Sequence, residues 1–277
     1  MTMDTSDTPY LARGVQLLGT DSSILVSSSK YLNEPRLRDW VAKIALKKNG
    51  ADYPPAAEMY ELIQILQDLR DFGRIEELFR EERRVNPALD QWFNEWFCSD
   101  YTIDDLRDCA PGTVGGIYYQ AATEGNYELQ IVPNFQPQTQ WQYYSLRAGQ
   151  THDYEHILTG GGFNYIGELL PYWFRLATID QHIQNKELAG EMNVMGILGT
   201  TRYLLRTVLH YPETWGAALK CIEQGIAIGR NSEPFWMAKM EDYWHTPLDE
   251  ARRKLGVHGA LDLDTEAEGR IWGGLRA

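Results

Sequence analysis

The sequence predicts an all-α fold, a single helical domain of roughly ten helices, on three observations. Apolar residues recur at three- and four-residue intervals over most of the chain, the spacing of helices that bury one face. Strand-like alternation is confined to Tyr127, Leu129 and Ile131, and Pro133 and Pro137 then interrupt it. No internal repeat, linker or composition shift divides the 277 residues, a length sufficient for one large core. The helical domain is expected over residues 10–257, with a disordered stretch at 1–9 and a tail at 258–277.

The elements follow in order. Leu37, Val41, Ile44 and Ala45 mark a helix from Pro35 to Lys48, stopped by Asn49-Gly50. After Tyr53-Pro54-Pro55, the positions Met59, Leu62, Ile63, Leu66 and Leu69 mark a second, ended by Phe72-Gly73. Arg74–Arg84 reads as a third, with Ile75, Leu78 and Phe79 inside and the charge run around Glu76 and Glu82 as a solvated face. Pro87–Phe97 is rich in aromatics and reads as core filling, with a share in an apolar pocket as the lesser reading. Residues 99–110 are a polar connector, Thr113–Ala122 a helix, and Glu124–Thr139 an extended loop. Trp141–Leu158 reads as one helix, Thr200–His210 and Glu213–Ile228 as a pair separated by Pro212, and Ser232–Met240 and Pro247–Leu255 as closing elements. Pro171 is expected to kink the helix it enters. His182 and His210 lack spaced partners and read as structural.

Composition excludes several function classes. With 39 acidic against 26 basic residues the net charge is -13, the wrong sign for a nucleic-acid partner. It is also wrong for attraction to anionic headgroups, so at most peripheral membrane contact is expected. No apolar run approaches the roughly 18 residues of a membrane span. Met1–Pro9 is acidic and polar where a secretory leader is basic and then apolar, and cytoplasmic localisation is the expectation. Cys98, Cys109 and Cys221 are odd in number and lack metal-ligand spacing, which fits reduced thiols.

The chemistry concentrates in residues 152–168. His152 and His156 are four apart, so on a helix they share a face about 6 Å apart along the axis and can share an ion. Asp153, about 100° round, reaches that ion from the flank or holds an imidazole as an acceptor. On a continuous helix Glu168 would lie roughly 18 Å from His156, out of reach of a bond of about 2 Å. Gly160-Gly161-Gly162 is where the chain can fold back, giving helix, glycine-rich turn and helix with donors from both arms. Zn, Fe, Mn and Co all suit such donors. His152-Asp153 also has the form of a phosphohydrolase core, but no histidine precedes it to complete that site. His152-x-x-Glu155-His156 has the form of an inverted zinc-peptidase motif and stays as a minor alternative.

The pattern HD-x-x-H, eleven residues, E, with Leu158-Thr159-Gly160 and Gly167-Glu168-Leu169, resembles the signature of the Coq-four family of ubiquinone (coenzyme Q) biosynthesis. Asn33-Glu34-Pro35-Arg36, Asp39-Trp40-Val41-Ala42, Ala110-Pro111-Gly112-Thr113-Val114-Gly115 with Tyr118-Tyr119, and Tyr243-Trp244 followed by Leu248 to Gly256 extend the resemblance over residues 15–257. It implies a metal-dependent lyase or oxidative decarboxylase that replaces the ring carboxylate of a prenylated hydroxybenzoate by a hydroxyl. On this reading His152, His156, Glu168 and Asp153 hold a divalent metal, with Asp153 also an orienting base and Glu155 and Arg147 as helpers. Arg147, where the family also favours Arg, would pair with a substrate carboxylate, with an ordinary surface Arg as the plainer reading. Tyr144, Tyr172 and Trp173 are the candidate substrate contacts. Tyr172-Trp173-Phe174 stands where the family more usually carries a Lys and an acidic helix, and this departure bears on the substrate. Three classes of function therefore stand: the ubiquinone head-group enzyme, a relative cleaving a carbon-carbon bond of a soluble phenolic, and a non-catalytic lipid- or quinone-binding scaffold. The segment beyond Gly256 is expected to be mobile or to form a homodimer contact.

Overall fold

The computed structural model describes residues 26–46, 55–124 and 135–273. The expected disorder at 1–9, the Asn49-Gly50 stop, Tyr53-Pro54 and positions 125–134 of the expected loop lie outside the described residues. Among those described, twelve α-helices and short 3-10 turns make the fold, and the one β feature is an isolated bridge between Thr113 and Pro247. None of the described helices is long and apolar enough to cross a membrane.

The first four helices are α1 (Pro35–Leu46), α2 (Pro55–Leu69), α3 (Phe72–Val85) and α4 (Pro87–Glu95). Trp40, Leu62 and Leu66 bury the face that α1 and α2 share with the later helix α9 (Lys186–His210). Phe72 and Gly73 open α3 and do not close α2, because the Asp71 carboxylate accepts from the Arg74 amide at 3.0 Å and caps the helix there. The acidic run on α3 is not a uniformly solvated face. Glu76 accepts from the Gln140 and Trp141 amides at 3.1 and 2.8 Å, capping the start of α6 (Gln140–Gln150). Glu82, 1% exposed, accepts from the Gln184 and Asn185 amides at 2.9 and 2.8 Å, where α9 begins. Both carboxylates sit where unpaired amides and the helix dipole favour negative charge. Trp92 and Phe93 of α4 fill the core, as expected of that aromatic stretch.

After α5 (Val114–Glu124), the expected single helix over 141–158 is two: α6 and then α7 (His152–Thr159), broken at Thr151. The Thr151 hydroxyl donates back to the Arg147 carbonyl at 3.0 Å, a bond that bends helices. Next come α8 (Leu169–His182), α9, and α10 (Trp215–Asn231). Pro171 falls in the first turn of α8, where its missing N–H would have no intrahelical partner, so α8 runs through it. The 25-residue α9 begins well before the expected Thr200. His182 and His210 contact the Ser232 and Ala45 carbonyls, both at 2.9 Å, in keeping with structural roles.

What fixes α8 is its seam with α10. A Cβ at Gly225 would lie 2.7 Å from the Leu170 carbonyl oxygen, and one at Gly229 2.4 Å from that of Phe174. Only glycine lets the two backbones meet this closely. The last helices are α11 (Leu248–Lys254) and α12 (Glu266–Trp272). Residues 258–273 are packed where a mobile tail was expected. Trp272, 1% exposed, sits 5.5 Å from the rings of both Tyr203 and Tyr211. The Leu263 amide donates to the Gly160 carbonyl at 2.9 Å, and Arg252 pairs with Asp262 at 2.6 Å. A single buried indole and a few polar bonds anchor an otherwise acidic segment, a signal too sparse for periodicity to reveal.

Candidate metal centre

The hairpin that carries the candidate ligands is α7, a glycine-rich turn and α8. Gly160 ends α7 at φ 87°, and its amide and that of Gly161 donate to the His156 carbonyl, each at 2.9 Å. A Cβ on Gly160 would meet the Leu261 carbonyl oxygen at 2.4 Å, so the returning C-terminal segment presses on the turn. The Asn164 side chain then accepts from the Gly167 amide at 2.9 Å, and Glu168 stands at the N-cap of α8.

This path brings the Glu168 carboxylate to both imidazoles. Oε2 lies 3.3 Å from His152 Nε2 and Oε1 3.5 Å from His156 Nε2. Among the described residues His152, His156 and Glu168 form a group whose candidate ligand atoms all lie within 4.8 Å of one another. Donors about 2.1 Å from a common ion stand about 3.0 to 4.2 Å apart, so both contacts, each to a different Glu168 oxygen, fall in that range, while the 4.8 Å spread of the group must narrow slightly around an ion. His156 Nδ1 faces the Gly162 carbonyl at 3.1 Å. A carbonyl only accepts, so Nδ1 carries a proton, and the other ring nitrogen, Nε2, faces Glu168. His156 is 1% exposed, whereas His152 and Glu168 keep 21% and 26% of their side-chain surface, so the group opens to solvent on one side.

The electrostatics suit cation capture. Burial works against ionisation of Glu168, yet the two imidazoles hold its carboxyl well below the usual carboxylate range. Burial likewise opposes a charged His152, but Glu168 and then Asp153 raise its pKa. A carboxylate held between two imidazoles is a site where a metal ion can take the place of a proton.

The other expected residues divide. Asp153 lies outside the group of three, and its Oδ2 accepts from the Tyr118 hydroxyl at 2.9 Å. Glu155 is fully buried with its Oε2 4.0 Å from His152 Nδ1, and its Oε1 takes Arg175 Nη2 at 2.6 Å. Arg147 is 1% exposed and donates to Ser99, Gln150 and the Ala238 carbonyl at 3.0, 2.8 and 2.6 Å. Its guanidinium thus ties α6 to two distant segments, in place of the expected pairing with a substrate. Tyr144 packs edge-on against Trp236 at 5.7 Å within the aromatic core, and Trp173 turns toward Gly225 of α10. Tyr172 borders the ligands, its ring 6.1 Å from that of His152. Burial and then the Glu168 charge push its hydroxyl up to about 12, so it stays a proton donor at neutral pH.

The residue that sequence reasoning missed is Arg175. Its signal was legible: Glu168, Tyr172 and Arg175 are spaced i, i+4, i+7 on one face of α8.

The family model for coenzyme Q (ubiquinone) biosynthesis protein Coq4 matches residues 98–260, which hold His152, Asp153, His156, Glu168 and Arg175. The chain belongs to this family. The match starts beyond α4, so the Asn33–Ala42 stretch lies outside it, and it ends before α12. Among solved structures, a candidate ubiquinone biosynthesis protein from Nostoc punctiforme PCC 73102 is similar, with a TM-score of 0.58 and 21% identity. The alignment covers 83% of this chain and 96% of that one, and at this identity the likeness is one of fold. No curated protein matches the chain. Membership of the Coq4 family ties the chain to ubiquinone biosynthesis.

Proposed function

We propose that this Coq4-family chain is a metal-dependent enzyme acting on an electron-rich phenolic ring. His152, His156 and Glu168 hold a divalent ion, and Asp153 acts from beside them. The observation that carries the reading is the convergence of two imidazole Nε2 atoms and one carboxylate within 4.8 Å on a hairpin open at one side. Two nitrogens and one carboxylate from the protein leave positions for substrate and water, as catalytic sites do and structural sites do not.

The reaction class is exchange of a ring carboxylate for a hydroxyl. The carbon-carbon bond breaks, the carboxyl carbon leaves as carbon dioxide, and water supplies the new hydroxyl oxygen. The two electrons released pass to dioxygen, giving hydrogen peroxide, so that acid, water and dioxygen balance phenol, carbon dioxide and peroxide. When bound, a divalent ion supplies Lewis acidity that holds a phenolate or carboxylate oxygen as its anion. The chain's own side chains do the rest. His156 is fixed through Nδ1 by the Gly162 carbonyl, which keeps Nε2 aimed inward. Tyr172 offers its protonated hydroxyl and ring beside His152, where a phenolic substrate can stack and donate or accept a hydrogen bond. Tyr118 orients Asp153, the neighbour of His152 in the chain, to take a proton from the ring hydroxyl.

A second reading has its own observation. Tyr172-Trp173-Phe174 stands where the family resemblance expects a Lys and an acidic helix, and the Tyr172 ring lies beside His152. An aromatic ring there favours a small soluble phenolic, with the same bond cleavage and the loss of a one-carbon fragment.

The test is to purify the full chain, determine bound metal, and incubate it aerobically with a prenylated and an unprenylated 4-hydroxybenzoate. Carbon dioxide release and dioxygen uptake with one of the two acids is the expected result. His152→Ala should abolish both while retaining the helical circular dichroism of the wild type. A metal-free wild-type chain, or equal turnover by the variant, overturns the reading.

A further inference from the structure

The break between α6 and α7 has a specific cause on α8. Arg175 Nη2 donates to the Ala148 carbonyl at 2.8 Å and to Glu155 Oε1 at 2.6 Å, and lies 3.5 Å from the Thr151 hydroxyl. Its Nε donates to the same Glu155 oxygen at 3.0 Å. In an unbroken helix the Ala148 carbonyl would serve the amide of His152, four residues on. Here a guanidinium from the opposite arm of the hairpin takes that carbonyl, and a new helix begins at His152. One planar group therefore joins the end of α6, the first turn of α7 and the body of α8. It does so seven residues along α8 from Glu168, on the same face.

We propose that Arg175 is the positioning residue of the metal centre: it interrupts the helix before His152 and sets the distance between the His152 imidazole and the Glu168 carboxylate. The proposal rests on the metal reading above. Three features support it. The fork geometry matches the job, because only a planar guanidinium can donate to a backbone carbonyl and a carboxylate in one plane. Glu155, fully buried, has its second oxygen without a hydrogen-bond partner and 4.0 Å from His152 Nδ1, so the carboxylate that Arg175 grips is also the one behind the first imidazole. The glycine seam packs the helix bearing Arg175 backbone to backbone against α10, which gives α8 a support that does not depend on α7.

Cobalt binding by the purified full chain tests this, read as affinity by chelator competition and as the visible absorption of bound Co²⁺. Arg175→Gln should weaken Co²⁺ binding by about 10–100-fold, the usual effect of losing an outer partner of a metal ligand, and should shift the absorption band. Arg175→Lys keeps the charge but not the fork, and should recover less than half of that loss on a logarithmic scale. Glu155→Gln keeps an acceptor for Arg175 and should weaken binding less than Arg175→Gln does. The double variant should be no worse than Arg175→Gln alone, since the two act as one unit. A folded Arg175→Gln chain with wild-type affinity and spectrum overturns the proposal. Should that variant not fold, wild-type affinity and spectrum in Arg175→Lys, which lacks the fork, overturns it instead. A wild-type chain that takes up neither Co²⁺ nor Zn²⁺ removes the metal reading itself, a result distinct from either of those.

Discussion

Two glutamates in this molecule have opposite surroundings. Glu168, at the start of α8, stands between two imidazoles at 3.3 and 3.5 Å. Glu58 of α2 is fully buried between two guanidiniums of α9, with Arg202 at 3.6 Å and Arg206 in direct contact. The neighbours of Glu58 are permanent cations that only donate, so its charge is met within the protein and the cluster has no use for an ion. The neighbours of Glu168 are imidazoles, which can release a proton and offer a ring nitrogen toward the carboxylate. Identical acids thus serve as a structural brace in one place and as a candidate ligand in the other. What differs is whether the surrounding nitrogens can give up their proton to a metal ion.

The largest effect should come from breaking the brace. Glu58→Ala leaves two buried guanidiniums short of their shared anion and should lower unfolding stability by about 3–5 kcal/mol. Urea unfolding of the metal-free chain measures this, and a loss below about 1 kcal/mol would place the two glutamates in the same class. Glu168→Gln should do the reverse: metal affinity falls by more than about a hundredfold, beyond the loss of an outer partner, while chelator-treated protein loses less stability than Glu58→Ala does. Isothermal titration with Zn²⁺ and melting in chelator read the two halves separately.

Acidity sharpens the contrast in the metal-free chain. The Glu168 carboxyl is depressed, so its contribution to stability is present above pH 4.5 and is lost as pH falls through its lower folded value. The raised His152 contributes fully below pH 6.5, and that part is lost as pH rises through its folded value. Site-derived stability without metal should therefore peak between pH 4.5 and 6.5, whereas Zn²⁺-dependent stabilisation should grow as pH rises and protons leave the imidazoles. Melting temperatures with chelator and with Zn²⁺, from pH 5 to 8, should diverge; parallel curves would mean that protons and metal do not compete at these rings. The smallest effect is expected at Asp153. Because its carboxylate is turned to Tyr118, Asp153→Asn should weaken metal binding less than tenfold, under about 1.4 kcal/mol, and a loss matching that of Glu168→Gln would make it an equal ligand.

Much of this was legible along the chain. The HxxxH spacing put both imidazoles on one helical face, and the three glycines marked the fold-back toward Glu168, because helix periodicity and glycine's access to positive φ are local rules. Tyr172 and Arg175 were within reach of the same reasoning, since they follow Glu168 at helical intervals. The destinations of Arg147, Glu76 and Glu82 were not. Each is decided by which distant carbonyl or amide lies at the end of the side chain.

By itself the sequence determined the helical class, the hairpin, and the donor types that meet on it. Only the tertiary structure decided that Glu168 would meet imidazoles while Glu58 met guanidiniums, and that α6 and α7 would part at Thr151. It also decided that the acidic segment after Gly256 would pack through Trp272 onto Tyr203 and Tyr211. The reason is physical. Periodicity and glycine content act within a few residues, but the partner of a buried charge is set by how helices far apart in the chain pack together.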